Sequence, residues 1–181
     1  YWTRDYGPWT IMDSNNQMAI VDFRYNRVRP YDDVLNELLD DTLGVGFYYM
    51  PLVATGGNVM TDGNGKMMST NLVLTENDGV QNSQVTEYSY TQAQINSVVS
   101  NYLGATEYQF YTDPLANSSI DHIDCFAKLL DVDKVIIARV PSSHTNYAAL
   151  EAVVAAWQSK TSSYGTPYQI FRVDQSSNNE P

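Results

Sequence analysis

Three times along this 181-residue sequence, a predicted hairpin is followed by an amphipathic helix, a glycine and a short aromatic-rich strand. The first helix is expected over 32–43, with Asp32 or Asp33 as cap and Val34, Leu35, Leu38, Leu39 and Leu43 on one face. The second is expected over 92–103. Thr91 and Gln94 form a capping box ahead of Ile95, Val98, Val99 and Leu103. The third, over 147–160, carries Leu150, Val153, Val154 and Trp157. Gly44, Gly104 and Gly165 follow in turn, each able to close its helix or the next turn. The strands after them are 47–50, 108–111 and 168–171. The hairpins before them pair 9–12 with 18–23, 58–61 with 66–74, and 120–130 with 134–140.

The predicted helix starts, near 32, 91 and 147, lie 59 and 56 residues apart. The fold class is therefore α/β, built of strand-strand-helix-strand repeats over 5–51, 55–112 and 120–173. One such unit cannot bury both faces of its small sheet, so the units are expected to pack about a shared axis. Three of them leave an open arc with free strand edges, which favours self-association or completion by a second chain. The competing reading is an ordinary α+β domain whose regularity is accidental.

Composition narrows the function. An apolar share of 43% against 17% charged residues fits a folded core, not a disordered chain. The net charge of −11 repels phosphate backbones, so nucleic acid is excluded as a partner and a cationic substrate is favoured. One cysteine, Cys125, and two histidines, His122 and His144, rule out an internal disulfide, a multi-cysteine zinc site and a histidine-rich metal site. No stretch reaches the ~18 apolar residues of a membrane span. Abundant Tyr, Asn and Ser with few Lys lean toward a secreted protein. Asn117-Ser118-Ser119 fits the glycosylation triplet, a pattern common by chance. The opening Tyr1-Trp2-Thr3-Arg4-Asp5 reads as mid-domain sequence, so a processed or truncated product is expected.

Polar clusters recur at matching places, each at the start of a hairpin. They are Trp2-Thr3-Arg4-Asp5-Tyr6-Gly7, Thr55-Gly56-Gly57-Asn58 and Asp121-His122-Ile123-Asp124. Equivalent positions of a radial repeat face one axis, so Asp5, Asn58, His122 and Asp124 are expected to converge. In extended chain His122 and Asp124 share a face, as a general acid/base beside a carboxylate or as a surface pair. Cys125 then projects to the opposite, packed face and reads as a small buried hydrophobe rather than a nucleophile. Gly56-Gly57 permits close approach of a ligand. Asp62-Gly63-Asn64-Gly65 reads as a hairpin turn, since the glutamate of a calcium loop is missing. Arg27 and Arg29 share a side in extended chain, either as a bidentate clamp for a substrate carboxylate or as a solvated pair beside Asp32 and Asp33.

These clusters resemble the guanidino-group-modifying (pentein) superfamily, and within it the bacterial peptidylarginine deiminases, relatives of the agmatine deiminases. The resemblance rests on residues 2–9, 21–30 and 55–58 with Asp62-Gly63, on His122-Ile123-Asp124, and on Arg139-Val140-Pro141 and 162–168, in that order along nearly the whole chain. It implies an α/β propeller of five strand-strand-helix-strand blades, of which about three are present. It also implies hydrolysis of a guanidinium C–N bond without metal or organic cofactor, through a cysteine thiouronium intermediate. Asp5 and Asp124 would hold the two sides of the guanidinium, His122 would be the acid/base, and Trp2 would wall the pocket beside Asn58. Arg27 and Arg29 match arginines that hold the carboxylate of a C-terminal arginine, and Thr55 stands where agmatine deiminases carry Glu. The expected substrates are therefore arginine-containing peptides or proteins, and the expected location is secreted or cell-envelope, in a bacterium. The family's nucleophile lies in a last blade absent from this sequence, so the 181 residues alone are expected to be inactive. The alternatives are an agmatine or small-guanidine deiminase, and a non-catalytic arginine- or peptide-binding module.

Overall fold

The structure, a computed structural model, describes residues 2–80, 84–115 and 120–175; Asn117-Ser118-Ser119 lies outside them. Helix α1 (Thr3–Tyr6) precedes strands β1 (Trp9–Met12) and β2 (Met18–Tyr25), then helices α2 (Pro30–Asp33) and α3 (Leu35–Leu43) and strand β3 (Gly46–Ala54). Strands β4 (Met60–Thr61) and β5 (Lys66–Thr70) follow, then helices α4 (Leu72–Thr75) and α5 (Gln92–Leu103) and strand β6 (Glu107–Tyr111). The last part holds β7 (Ala127–Asp131), β8 (Lys134–Arg139), helix α6 (Tyr147–Gln158) and β9 (Gln169–Asp174). The strands form three small sheets, ordered β1-β2-β3, β4-β5-β6 and β7-β8-β9. In the first and last, an antiparallel hairpin is extended by a parallel third strand reached through a helix.

The chain divides into two compact units. The first takes Tyr1–Gly57 and Leu72–Glu107, the second Asn58–Asn71 and Tyr108–Pro181. The division cuts through the segment 55–112 that was expected to be one unit, because α5 packs on β3 of the first unit. Its cap explains its sharp start. Thr91 Oγ1 accepts from the Gln94 N–H at 3.3 Å, and Gln94 Oε1 takes the Thr91 N–H at 2.8 Å. Gly104, at φ 68°, closes it.

The first unit's core is formed by Ile20, Val21, Phe23, Met50, Leu52 and Val53 of β2 and β3, with Ile95 and Val99 of α5 against them. β2 and β3 pair in parallel up to Phe23–Met50 and resume at Arg24–Val53. Pro51, which has no N–H to give, lies in this bulge. Because the two strands run the same way, the segments leaving them, at Asn26 and at Thr55, emerge at the same end of the sheet.

The expected helix over 32–43 is broken. Val34, at φ −93° and ψ 0°, separates α2 from α3, and Leu38 and Leu43 are exposed. Asp33 causes the break by tying α2 to β2, for its carboxylate accepts from the Arg24 guanidinium and from the Tyr25 N–H. α3 instead buries a polar residue. Asn36 Nδ2 reaches Asp22 Oδ1 at 2.6 Å and the Tyr6 carbonyl at 3.2 Å, which anchors α1, β2 and α3 together.

In the second unit Trp157 of α6 lies at the centre of the core. It stacks on Tyr111 at 4.9 Å and meets Tyr168 edge-on at 4.8 Å, among Ile123, Phe126, Ile137 and Leu150. The bidentate pair of Arg172 with Glu151 fastens β9 to α6. Both expected hairpins in this unit are shorter than predicted. Gly56–Asn58 and Ile123–Cys125 are single 3₁₀ turns, and residues 72–75 are helical. Asp62 accepts from the N–H groups of Asn64 and Lys66 and from the Ser163 hydroxyl, so the 62–65 turn is a docked hairpin turn. Among the described residues no helix is long and apolar enough to cross a membrane.

The buried Asp22 yields a pH prediction. Burial raises its pKa above the ordinary carboxylate value, against the opposing pull of the Asn36 bond. Folding thus favours the protonated form. The stability contribution is greatest below the ordinary carboxylate range and falls as pH rises through the raised value. Asp22→Asn removes that loss, so its melting temperature relative to the parent chain should rise between pH 3 and pH 7. A constant or falling difference contradicts this.

Candidate active site

In the first unit the Trp2–Gly7 segment forms a single helical turn. The Asp5 N–H donates to the Trp2 carbonyl at 2.8 Å, and Gly7 N–H to Thr3 at 2.9 Å. Trp2 is exposed at 52%, and Asp5 is half-buried. Gly56 allows this turn to sit where it does. A Cβ there would lie 1.9 Å from the Arg4 carbonyl oxygen and 3.3 Å from Trp9 Nε1. The close approach that the glycine pair permits is therefore one of the chain's own backbone.

Arg27 and Arg29 do not lie in extended chain, which corrects the premise that aligned them. β2 ends at Tyr25, and the Arg29 N–H turns back onto the Arg27 carbonyl at 2.8 Å. Arg29 Nη1 is 3.6 Å from Asp32 Oδ2, as the solvated-pair reading anticipated. An exposed pair of this kind is worth only about 0.5 kcal/mol, so it does not lock the guanidinium away from a better partner. Tyr25, which sequence reasoning missed, links these residues. It is 3% exposed and packs edge-on against Tyr6 at 5.7 Å. Burial and then the negative charge of Asp5 push its hydroxyl above the ordinary tyrosine range, while Arg29 and Arg27 pull it down.

In the second unit His122 and Asp124 flank Ile123 on a 3₁₀ turn, so their expected common strand face does not exist. Their exposures differ. His122 is buried at 5%, and Asp124 is exposed. Cys125, expected on the packed face of a strand, is half-buried against the Trp157 core by virtue of the turn instead. Its Sγ lies 4.0 Å from Asp124 Oδ1, where a thiolate would meet like charge.

Asn58 has a task the sequence did not disclose. Its Oδ1 accepts from Thr70 N–H at 2.9 Å and Ile123 N–H at 3.1 Å, and lies 2.9 Å from the Thr70 hydroxyl. This oxygen holds the backbone of the turn that follows His122. Two further residues had no sequence signal. Thr70, 1% exposed, also has its hydroxyl against the Asp121 carbonyl, and Asp121 adopts φ 56°. Among the described residues no cluster of three or more His, Cys, Asp or Glu is arranged to hold a metal ion.

The family model of the Porphyromonas-type peptidyl-arginine deiminases matches residues 1–180. The chain belongs to this family. It is 25% identical over 182 residues to a protein of Legionella pneumophila (strain Paris) provisionally named an agmatine deiminase, covering 96% of this chain and 51% of that protein. The chain thus spans about half the length of the curated relatives it matches. Among solved structures, a provisionally named arginine deiminase from Porphyromonas gingivalis superposes with a TM-score of 0.85 at 22% identity, over 99% of this chain and 55% of that one. The agmatine deiminase of Enterococcus faecalis gives 0.84 at 17% identity, over 99% and 51%. These likenesses establish the fold, an α/β arrangement of small mixed sheets of the pentein deiminase type. Membership relates the chain to the guanidino-group deiminases, of whose curated members it spans about half or less.

Gly56→Ala should destabilise this chain by about 1–3 kcal/mol, the usual cost of overpacking against groups that cannot retreat. Urea unfolding checks it, and a change within error contradicts the docking of α1 on Gly56.

Proposed function

We propose that this chain carries the acid–base and guanidinium-holding part of a deiminase that converts arginine, at the C-terminus of peptides or proteins, to citrulline and ammonia. The observation that carries this reading is the turn at 121–125. A buried imidazole is held there by its backbone, with an exposed carboxylate two residues on. His122 protonates the departing ammonia and then takes a proton from the attacking water. Asp124 accepts hydrogen bonds from one side of the guanidinium, and Asp5 is assigned the same chemistry as the second carboxylate. Trp2 contributes an aromatic wall. The nucleophile is a thiolate that attacks the guanidinium carbon; the tetrahedral adduct expels ammonia to give a covalent thiouronium, and water then adds to that carbon and expels the thiolate, leaving the ureido product. Cys125, packed on the core beside Asp124, does not fill that role; the thiolate is assigned to a cysteine elsewhere in the whole protein. The reaction needs neither metal nor organic cofactor.

Arg27 and Arg29 support the peptide substrate, since two guanidinium groups suit a C-terminal carboxylate. Thr55 supports it too, being 1% exposed and offering no charge to a second cationic end. The second reading, a deiminase of agmatine or another small guanidine, is favoured by the names that the curated relatives carry. The proposal includes a secreted or cell-envelope location and the five-bladed α/β propeller, with 5–51, 55–112 and 120–173 as three blades. It also includes self-association or completion by a second chain.

The deciding measurement is ureido-product formation by the deiminase containing this chain, from an arginine-ending peptide, its C-terminal amide and agmatine. The peptide reading expects the free carboxylate to be preferred by ~10- to 100-fold in kcat/KM, the worth of charge-assisted hydrogen bonds. Arg27→Gln or Arg29→Gln should erase most of that preference. Preference for agmatine replaces this reading with the second. His122→Gln should cost ~10²- to 10⁴-fold in kcat on either substrate, and Cys125→Ser should leave kcat within about twofold.

A further inference from the structure

The direction in which the His122 side chain leaves the main chain is set by its backbone, and both flanking peptide units are pinned. On one side the Asp121 carbonyl meets the Thr70 hydroxyl. On the other, the Ile123 N–H donates to Asn58 Oδ1 at 3.1 Å, and the His122 carbonyl accepts from the Cys125 N–H at 3.2 Å. These bonds fix the φ and ψ of His122, at −87° and 142°. They also hold Asp121 at φ 56°, a left-handed conformation that side chains other than glycine adopt at a cost.

Thr70 is common to both sides of this clamp. It is the last residue of β5, fully buried, and its own N–H donates to the same Asn58 oxygen at 2.9 Å. Its hydroxyl, with one proton to give, lies between that oxygen and the Asp121 carbonyl. Its β-branched side chain is stiff about χ1, which suits a residue that must keep a hydroxyl in one place.

We infer that Thr70 is a positioning residue for His122: through the Asp121 carbonyl and through Asn58 it sets the direction of the imidazole. The inference rests on the reading of His122 as the acid/base. Thr70→Val keeps the shape and removes the hydroxyl, whereas Thr70→Ser keeps the hydroxyl. In the deiminase containing this chain, Thr70→Val should lower kcat by ~10- to 100-fold with KM within about twofold, as expected when a catalytic group is misaimed by a fraction of an ångström. Thr70→Ser should restore kcat to within about threefold of the parent.

A second readout needs no turnover. In the 181-residue chain, with its two histidines, the His122 imidazole resonance and its titration midpoint should move in Thr70→Val, while those of His144 stay fixed. A parent protein that acts on no guanidine overturns the deiminase reading, and the resonance then tests the clamp by itself. A folded Thr70→Val whose kcat and His122 titration both match the parent overturns the inference. If Thr70→Val does not fold, Thr70→Ala is measured in the same way. Loss of folding in both, with Thr70→Ser intact, shows a purely structural threonine and also overturns it.

Discussion

The side-chain oxygen of Asn58 receives the amide hydrogens of Thr70 and Ile123 and lies against the Thr70 hydroxyl, at a point only 2% exposed. Few interactions in a protein of this size have so many dependants. Without that oxygen two backbone N–H groups would be buried without an acceptor, at about 1–3 kcal/mol each. The strand end at β5, the 3₁₀ turn at Ile123–Cys125 and the base of the β7–β8 hairpin would lose their common tie. The turn beside it reverses the chain just before β7, so Ile123 and Phe126 enter the Trp157 core while His122 stands at the head of the turn. Core packing and placement of the imidazole are thus consequences of the same buried amide.

The first unit solves a similar problem with different chemistry. Its α1 turn is too short to hold itself, since four residues make barely one hydrogen-bonded turn. It is held from outside, by the glycine that receives the Arg4 carbonyl and by Asn36, which bonds the Tyr6 carbonyl and Asp22 together. Asp22 is expensive to bury, and the α3 face loses apolar burial to accommodate its partner. The return is an anchored end for the α1 turn that carries Asp5, beside the Tyr6–Tyr25 pair in which Tyr6 itself takes part. In both units a polar group is sacrificed to the interior so that a charged or titratable one stands in a defined place.

What could be read from the sequence follows the range of the forces involved. The capping box at Thr91 and Gln94, the apolar face of α6 and the β1–β2 and β7–β8 hairpins are written in residues a few positions apart, and the structure has them. Asp5, His122 and Asp124 were singled out by matching motifs, and the motif pattern agrees with the family to which the chain belongs. The geometry around them was not legible. A single 3₁₀ turn has no periodicity to detect, so His122 and Asp124 read as strand neighbours. Asn58 reaches Ile123 across 65 positions, and nothing local to either residue announces that bond. Thr70 and Asp121 look like an ordinary strand end and an ordinary loop aspartate. The break at Val34 escaped for the same reason, because the pull of Asp33 toward Arg24 and Tyr25 competes with a well-formed helical pattern.

The question of substrate reduces to charge. A C-terminal arginine presents a guanidinium at one end and a carboxylate at the other; agmatine presents two cations. A site for agmatine needs a further negative group for its ammonium. In the proposed reading the residue that stands there is Thr55, a buried threonine, which can offer a dipole but no charge. A site for a peptide end needs positive charge, and Arg27 and Arg29 stand on the segment that leaves β2. Arg29 leans on Asp32 across 3.6 Å at the surface, a contact weak enough to yield to a carboxylate arriving with bidentate geometry. The same segment also carries Asp32 and Asp33, but Asp33 is held by Arg24 and the Tyr25 N–H, and Asp32 lies against Arg29. In the proposed peptide reading Arg27 and Arg29 receive the carboxylate and Thr55 leaves no charge for an ammonium, whereas the names of the curated relatives point to agmatine.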